Sequence, residues 1–345
     1  MDINKVVMIL DWAQARDQNY AAAFKERGVE YVKKQCGTDE EMIALARDAD
    51  CIMTIGNVRS ISPKVVENLE KCKLIQTVSV GYDGIPLQLA TERGICVANV
   101  PGYCREEVSD HVMSLILGWS RRIIESDRLV RAGRAYSGDK RTLEFRRLAT
   151  KIHRLRGAIL GLIGLGRVAT TLVPKAKGFG MRILAYDPYV PASLVKELAI
   201  EGVSLEQLLR ESDFVSIHCS LTPETRHLIG LEQLKKMKPS AILINTARGG
   251  IVDTEALYVA LTEGYIAGAG LDAIEPDPPS PEHPMLKLDN VILTGHTAFV
   301  GPEAEAEMWH RPLEEIARMK RGEWPHSLVN PQVKERFVQK WGQMR

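Results

Sequence analysis

The 345-residue sequence predicts an α/β protein with two doubly wound parallel sheets, the first completed by chain that follows the second. Three observations carry that prediction. Short runs of Val, Ile and Leu are continuous rather than alternating, which marks strands buried on both faces of a helix-covered parallel sheet. Stretches of helical length with amphipathic spacing separate these runs. After the last run comes an amphipathic helix with no further strand, so its apolar face must return to an earlier sheet.

Taken in order, the first hundred residues give the strands KVVMIL, DCIMTIG, KLIQTVSVG and GICVANVP, with YAAAFKERG and EEMIALARDAD as helices between them. Residues 105–134 contain no proline and keep helical spacing up to Gly133, which predicts one long helix bridging domains or subunits. A second series then begins: AILGLIGLG, MRILAYD, DFVSIHCSL, AILINTARGG, AGAGLDAI and NVILTGH. Ser204 with Gln207 forms a capping-box pattern, and Pro223 in TPET suits a first helical turn. Pro174, inside the helix after GLIGLG, is expected to kink it. Past His296 lies the helix without a sheet of its own, and the final SLVNPQVKERFVQKWGQMR reads as a surface extension available for a dimer contact.

A chain this long exceeds one hydrophobic core, in line with two domains. Its 45 basic and 44 acidic residues give a net charge of +1, so no electrostatic footprint for nucleic acid or an anionic membrane is expected. Partners are then small molecules or other protein chains. The N-terminal MDINKVVMILDW has no basic segment followed by a long apolar one, and no run reaches the roughly 18 apolar residues of a membrane span. A soluble cytoplasmic protein is expected. Cys36, Cys51, Cys72, Cys96, Cys104 and Cys219 include no C-x-x-C pair and read as buried thiols. Without an H-E-x-x-H motif or clustered Cys and His, no protein-bound metal is expected.

In AILGLIGLGRVATTL, Gly164, Gly166 and Ala169 make a G-x-G-x-x-A pattern between an apolar strand and a helix. The first glycine makes the tight turn, and the second lets the backbone approach a pyrophosphate that the helix N-terminus attracts. Alone the motif is weak. The next strand, however, ends in Asp187, 21 residues past Gly166, where a carboxylate accepts hydrogen bonds from ribose hydroxyls. That acid would repel a 2′-phosphate, and PYVPA offers no arginine to hold one. NAD is favoured over NADP.

Over nearly its whole length the sequence resembles the D-isomer-specific 2-hydroxyacid dehydrogenase family, and within it the branch containing the C-terminal binding protein corepressors. The resemblance rests on SVGYDGIPLQLATERGICVANVPGYCREEVSDH, GLIGLGRVA, VSIHCSLTPETRHLIG, LINTARGGIVDTEAL, GLDAIEPDP and VILTGHTAF. It implies two Rossmann-like domains, the first flavodoxin-like and discontinuous: 1–104 with 297–345 for substrate and 105–296 for NAD. Arg248 then looks like the arginine whose planar fork holds an α-carboxylate and polarises the neighbouring carbonyl. His296 looks like the acid/base histidine. The third member, an acid that orients the imidazole, falls at Asp277, where relatives usually carry glutamate. Glu275 reads as a variable surface acid.

Aspartate is one methylene, about 1.5 Å, shorter than glutamate. Contact with His296 therefore requires an inward loop or a bridging water; otherwise the relay is weak. The resemblance further implies that Val80 and Gly81 offer backbone N–H groups to the substrate carboxylate. It puts Gly164, Gly166, Arg167 and Val168 at the pyrophosphate, Asp187 at the ribose, and His218, Cys219 and Thr225 around the adenosine half. Thr246, Ala247 and Asp272 fall near the nicotinamide, with a structural strand-end acid as the alternative reading of Asp272. Phe299 stands where the corepressors have tryptophan, which predicts a differently shaped substrate pocket.

Two functions of different class follow. One is an NAD-dependent enzyme interconverting a small 2-oxo acid and its D-2-hydroxy acid in a cleft between the domains, as a homodimer through the long helix. The other is a corepressor-like scaffold in which NAD sets the assembly and turnover is vestigial. The branch resemblance and the shortened acid favour the scaffold; the lack of a long disordered tail favours the enzyme. A regulated phosphoglycerate dehydrogenase is disfavoured because no third domain follows, and a formate dehydrogenase by the spacing of arginine, acid and histidine.

Overall fold

The computed structural model describes residues 1–10, 20–55, 61–134 and 143–345. Its chain divides into two compact units, Met1–Tyr103 with Gly301–Arg345, and Cys104–Val300.

The first unit is built on the strands β1 (Lys5–Leu10), β2 (Glu30–Gln35), β3 (Cys51–Thr54), β4 (Leu74–Thr77) and β5 (Cys96–Ala98). They pair in parallel in the order β2-β1-β3-β4-β5. Successive side chains of a strand point to opposite faces. Val6 and Met8 accordingly enter one core with Phe24 and Leu74, and Val7 and Ile9 a second with Met42, Val65 and Val66. The apolar runs locate β1, β3, β4 and β5 but not β2. That strand, EYVKKQ, lies at the sheet edge with four of its six residues exposed, so lysines replace the apolar run. Charge on an edge strand also discourages pairing with another chain.

The helix Pro302–Lys320 places Ile316 and Met319 in the core that contains Val6 and Met8. The residues after it are not a surface extension. Val333 and Phe337 are fully buried, and Leu328 bridges Ala98 as an antiparallel partner. Buried Asn330 accepts from Val97 N at 2.8 Å and donates to Ile95 O at 3.0 Å. The sequence misleads here because two buried side chains among nine charged or amide residues leave little apolar signal.

The second unit carries β6 (Ile159–Ile163), β7 (Arg182–Tyr186), β8 (Glu201–Gly202), β9 (Phe214–Ile217), β10 (Ile242–Asn245), β11 (Gly268–Leu271) and β12 (Val291–Leu293). All pair in parallel, in the order β12-β11-β10-β9-β6-β7-β8. Strand order reverses at β6, and beyond the carboxyl ends of β6 and β9 lies the usual ligand position in such sheets.

Residues 105–134 do not form one helix. Arg105–Ser120 is followed by Ile123–Arg131, and Arg122 between them is left-handed at φ 53°. Its guanidinium stacks on Trp119 at 4.7 Å from the ring centre, a contact that supports this conformation without any glycine or proline to announce it. TPET likewise forms a turn, closed by mutual hydrogen bonds between Thr222 and Thr225, rather than a helix. Ser204 caps Leu205–Glu211 through Gln207 N, but the Gln207 amide turns to Glu211, so only half the capping box forms. The helix Arg167–Gly178 runs through Pro174 unbroken.

Among the described residues no helix is long and apolar enough to cross a membrane, and no group of three or more His, Cys, Asp or Glu is placed to hold a metal ion. The six cysteines form no disulfide, and all but Cys219 are buried.

Trp119 fixes the first helix of this unit to the sheet. Its Nε1–H donates to Ala269 O at 3.2 Å, and a side chain at Gly268 would meet its ring at 2.3 Å. Gly268→Ala should therefore lower the unfolding free energy by about 1–3 kcal/mol through overpacking. Trp119→Leu in the same chain should recover part of that loss. Urea titration of the three proteins checks both statements.

Candidate active site

The turn after β6 places Gly164 at φ 89°. A side chain there would meet Cys219 N at 2.6 Å and its Cα at 2.9 Å, so only glycine permits this approach of two strand ends. At Gly166 the space a side chain would enter is open. Gly166 begins the helix Arg167–Gly178 without a side-chain cap, and Arg167 and Val168 form its first turn. Open space above a helix N-terminus suits an anion.

Asp187 follows β7 directly. Its carboxylate accepts from Leu165 N at 2.8 Å and Tyr189 N at 2.9 Å, which fixes it beside the glycine turn. His218 lies past β9, and its buried Nε2 has no hydrogen-bond partner; the buried hydroxyl of Thr246, past β10, has none either. Buried polar atoms normally find partners, and these two, at neighbouring strand ends, offer hydrogen-bonding groups that a ligand can satisfy. Burial raises the Cys219 thiol to about 11, so it stays uncharged. Thr225 Oγ1 donates to Ser220 O at 2.6 Å and accepts from Thr222 N at 2.8 Å, which shapes the loop after β9. Glycine turn, uncapped helix, acid and orphaned atoms together fit a dinucleotide.

The second group of residues sits on the adjacent strands β10, β11 and β12. Arg248 is three residues past β10, Asp277 six past β11 and His296 three past β12. His296 Nδ1 lies 2.6 Å from Asp277 Oδ2, a direct hydrogen bond. The shorter acid thus reaches the imidazole directly, with no bridging water needed. Gly249 packs so closely on this loop that a side chain would lie 2.2 Å from the Ile274 carbonyl carbon. Arg248 Nη1 donates to Ala247 O at 2.9 Å, and Phe299 meets the imidazole edge-on at 6.0 Å.

Asp272 acts as the strand-end acid. Its Oδ1 accepts from Thr294 Oγ1 at 2.6 Å and Thr297 N at 2.9 Å, its Oδ2 from Ala298 N at 3.0 Å, and its carbonyl from His296 N at 3.0 Å. These bonds hold His296 at φ 55°, a left-handed conformation that side-chain-bearing residues adopt at a cost. Two contributors escaped the sequence reading. Buried Asn245 donates to Arg248 O at 2.9 Å and accepts from Ala247 N at 3.1 Å, and so shapes the arginine loop. His111 contacts Thr294 Oγ1 at 3.0 Å and so extends the Asp272 network.

Glu275 is not a bland surface charge. It binds Arg226 at 2.9 Å and His227 at 3.2 Å. Partial burial opposes its charge, but the hydrogen bonds from His227 and Arg226 outweigh it and hold the carboxyl below the usual glutamate range. Val80 and Gly81 belong to the first unit, in a turn whose carbonyls are anchored by Asn99 Nδ2 at 2.7 Å and Ser79 Oγ at 2.9 Å.

Burial pushes the His218 imidazole down from 6.5 to about 4, so the folded chain keeps it neutral where the unfolded chain protonates it. Its contribution to stability is complete above the ordinary value and is lost as pH falls toward the folded one. His218→Gln should therefore lose less stability than wild type between neutral pH and the lower limit of that window. Parallel urea midpoints of the two proteins would contradict this.

Residues 113–298 match the family described as D-isomer specific 2-hydroxyacid dehydrogenase, NAD binding domain. The glyoxylate reductase of Korarchaeum cryptofilum is 43% identical over 292 residues, 85% of this chain and 86% of that protein. That of Thermococcus litoralis is 40% identical over 292 residues, 85% and 87% of the two chains. The TT0316 protein of Thermus thermophilus aligns with a TM-score of 0.80 at 32% identity, covering 94% of this chain and 99% of that one. D-lactate dehydrogenase from Aquifex aeolicus, complexed with NAD and lactic acid, gives 0.80 at 28% identity, covering 92% and 96%. With its glycine turn, its strand-end acids and these relatives, the chain belongs to the D-isomer specific 2-hydroxyacid dehydrogenase family.

Proposed function

We propose that this chain reduces a small 2-oxo acid of the glyoxylate class to the corresponding 2-hydroxy acid, with His296 as the proton donor. As a member of its family it is an NAD-dependent oxidoreductase of 2-oxo and 2-hydroxy acids. The observation that carries the finer reading is the 2.6 Å bond from His296 Nδ1 to Asp277. An imidazole bound to a carboxylate through Nδ1–H leaves Nε2 to face a substrate.

NAD supplies or accepts the hydride when bound. Gly164, Gly166, Arg167 and Val168 would hold its pyrophosphate, Asp187 a ribose, His218, Cys219 and Thr225 the adenosine half, and Thr246, Ala247 and Asp272 the nicotinamide end. Asp187, with no arginine in the PYVPA that follows it, favours NAD over NADP. Arg248 grips the substrate carboxylate and draws electron density from the oxo carbon. His296 Nε2 donates a proton to the oxo oxygen in reduction and recovers it in oxidation, and Asp277 stabilises the charged ring. Val80 and Gly81 keep the role of backbone donors to a carboxylate.

The units would then divide as substrate-binding, Met1–Tyr103 with Gly301–Arg345, and NAD-binding, Cys104–Val300. The proposal includes a homodimer through the helix Ile123–Arg131, which buries none of its nine residues although Ile123, Ile124 and Val130 are apolar. Direct contact between acid and imidazole removes the ground for reading the shortened Asp277 as a sign of lost turnover. The glyoxylate reductases similar to this chain favour the enzyme over the corepressor-like scaffold.

NADH oxidation against glyoxylate, hydroxypyruvate and pyruvate tests this reading. At least one acid should turn over, and His296→Ala should lower kcat by about 10²–10⁴-fold. Arg248→Ala should raise KM as well as lower kcat, since it removes ground-state and transition-state contacts together. Full rate in either variant, or no turnover of any acid, would overturn it. Asp277→Glu should leave kcat unimproved because the loop already closes the distance; a tenfold rise, about 1.4 kcal/mol of barrier, would show that length was limiting.

A further inference from the structure

Glu275 stands two residues before Asp277 and holds the side chains of two residues from another loop. Its Oε1 accepts from Arg226 Nη2 at 2.9 Å, and its Oε2 lies 3.2 Å from His227 Nε2. The loop of Arg226 and His227 is itself fixed: Arg226 N donates to Thr222 O, His227 N to Gly250 O and Ile229 N to Ile251 O. His227 is left-handed at φ 52°, one of four described residues other than glycine with positive φ. Gly250 leaves the room for this pairing, because a side chain there would meet Arg226 Nη1 at 3.0 Å and Glu275 Oε1 at 3.2 Å. Gly249 receives the backbone of Ile274 and Glu275 in the same way.

Three loops therefore converge: 222–229 after β9, 248–251 after β10 and 273–277 after β11. Exposed ion pairs of this kind add only about 0.2–1 kcal/mol to stability, too little to explain so many fitted contacts as a stability device. The arrangement ties the 273–277 loop to its neighbours, and the position of that loop decides whether an aspartate reaches His296.

We propose that Glu275 is a positioning residue: its clamp on Arg226 and His227 sets the loop so that the short Asp277 side chain meets His296. The proposal rests on the reductase reading for its kinetic consequence but not for its structural one. Without the clamp, the loop relaxes outward and the imidazole loses its partner. The longer glutamate at position 277 does not depend on the clamp.

Two measurements on the full-length protein test this. In the first, the Nδ1–H proton of His296 is followed by NMR, where a hydrogen bond to carboxylate moves it downfield. The resonance should be present in wild type, lost in Glu275→Ala and restored in Glu275→Ala/Asp277→Glu. Its persistence in Glu275→Ala overturns the proposal, and this readout needs no turnover. In the second, kcat with glyoxylate should fall about tenfold in Glu275→Ala, with the KM for NADH unmoved, and return to within about threefold of wild type in Glu275→Ala/Asp277→Glu. In the Asp277→Ala background, removal of Glu275 should change nothing further, because two residues acting through one contact are not additive. A full tenfold loss in that background, or failure of the longer acid to rescue, would assign Glu275 a general structural role instead. Wild-type inactivity on every acid, with the NMR result as predicted, would sink the reductase reading and leave the clamp standing.

Discussion

The hydrogen bond between His296 and Asp277 is the contact on which the candidate site depends. Its partners come from loops after different strands, one of them six residues beyond β11, and at 2.6 Å the bond leaves no slack. Each side is held separately. Asp272 fastens the histidine side through three carboxylate contacts and one carbonyl contact to the segment 294–298, and keeps the His296 backbone left-handed. The acid side is held by glycine contacts and by Glu275. A carboxylate oriented against Nδ1 fixes the tautomer of the ring and so decides which nitrogen meets the substrate.

The parallel sheet makes this convergence possible. In a doubly wound sheet every strand delivers its following loop to the same edge, so residues far apart in sequence gather there. The order β12-β11-β10 makes the loops of His296, Asp277 and Arg248 neighbours, and the reversal at β6 places the glycine turn beside β9. Close backbone approach is bought at particular glycines. Gly164 and Gly249 would each drive a side chain into the backbone of the next loop, so the site's compactness depends on having no side chain there.

Much of this was legible in the sequence, and the exceptions have physical causes. The apolar runs located the strands buried on both faces, and the spacing of Gly164, Gly166 and Asp187 located the nucleotide turn. The charged edge strand β2 carried no such run. The break at Arg122 uses a left-handed arginine stacked on Trp119, for which no local rule exists. Pro223 promised a helix start, but paired threonines closed a turn first. Glu275 looked like a surface acid because its partners lie 48 and 49 residues away, and a single sequence does not display such pairings. The reach of Asp277 likewise depended on loop packing that only coordinates give.

In the proposed mechanism His296, held by Asp277, delivers the proton that accompanies hydride transfer. The most direct test is single-turnover NADH oxidation with glyoxylate in Asp277→Asn, which keeps the side chain's size and removes its charge. The single-turnover rate should fall by about 10²-fold or more, with glyoxylate affinity little changed, because the imidazole loses both its tautomer control and the stabilisation of its charged form. An undiminished rate in that variant would contradict the mechanism.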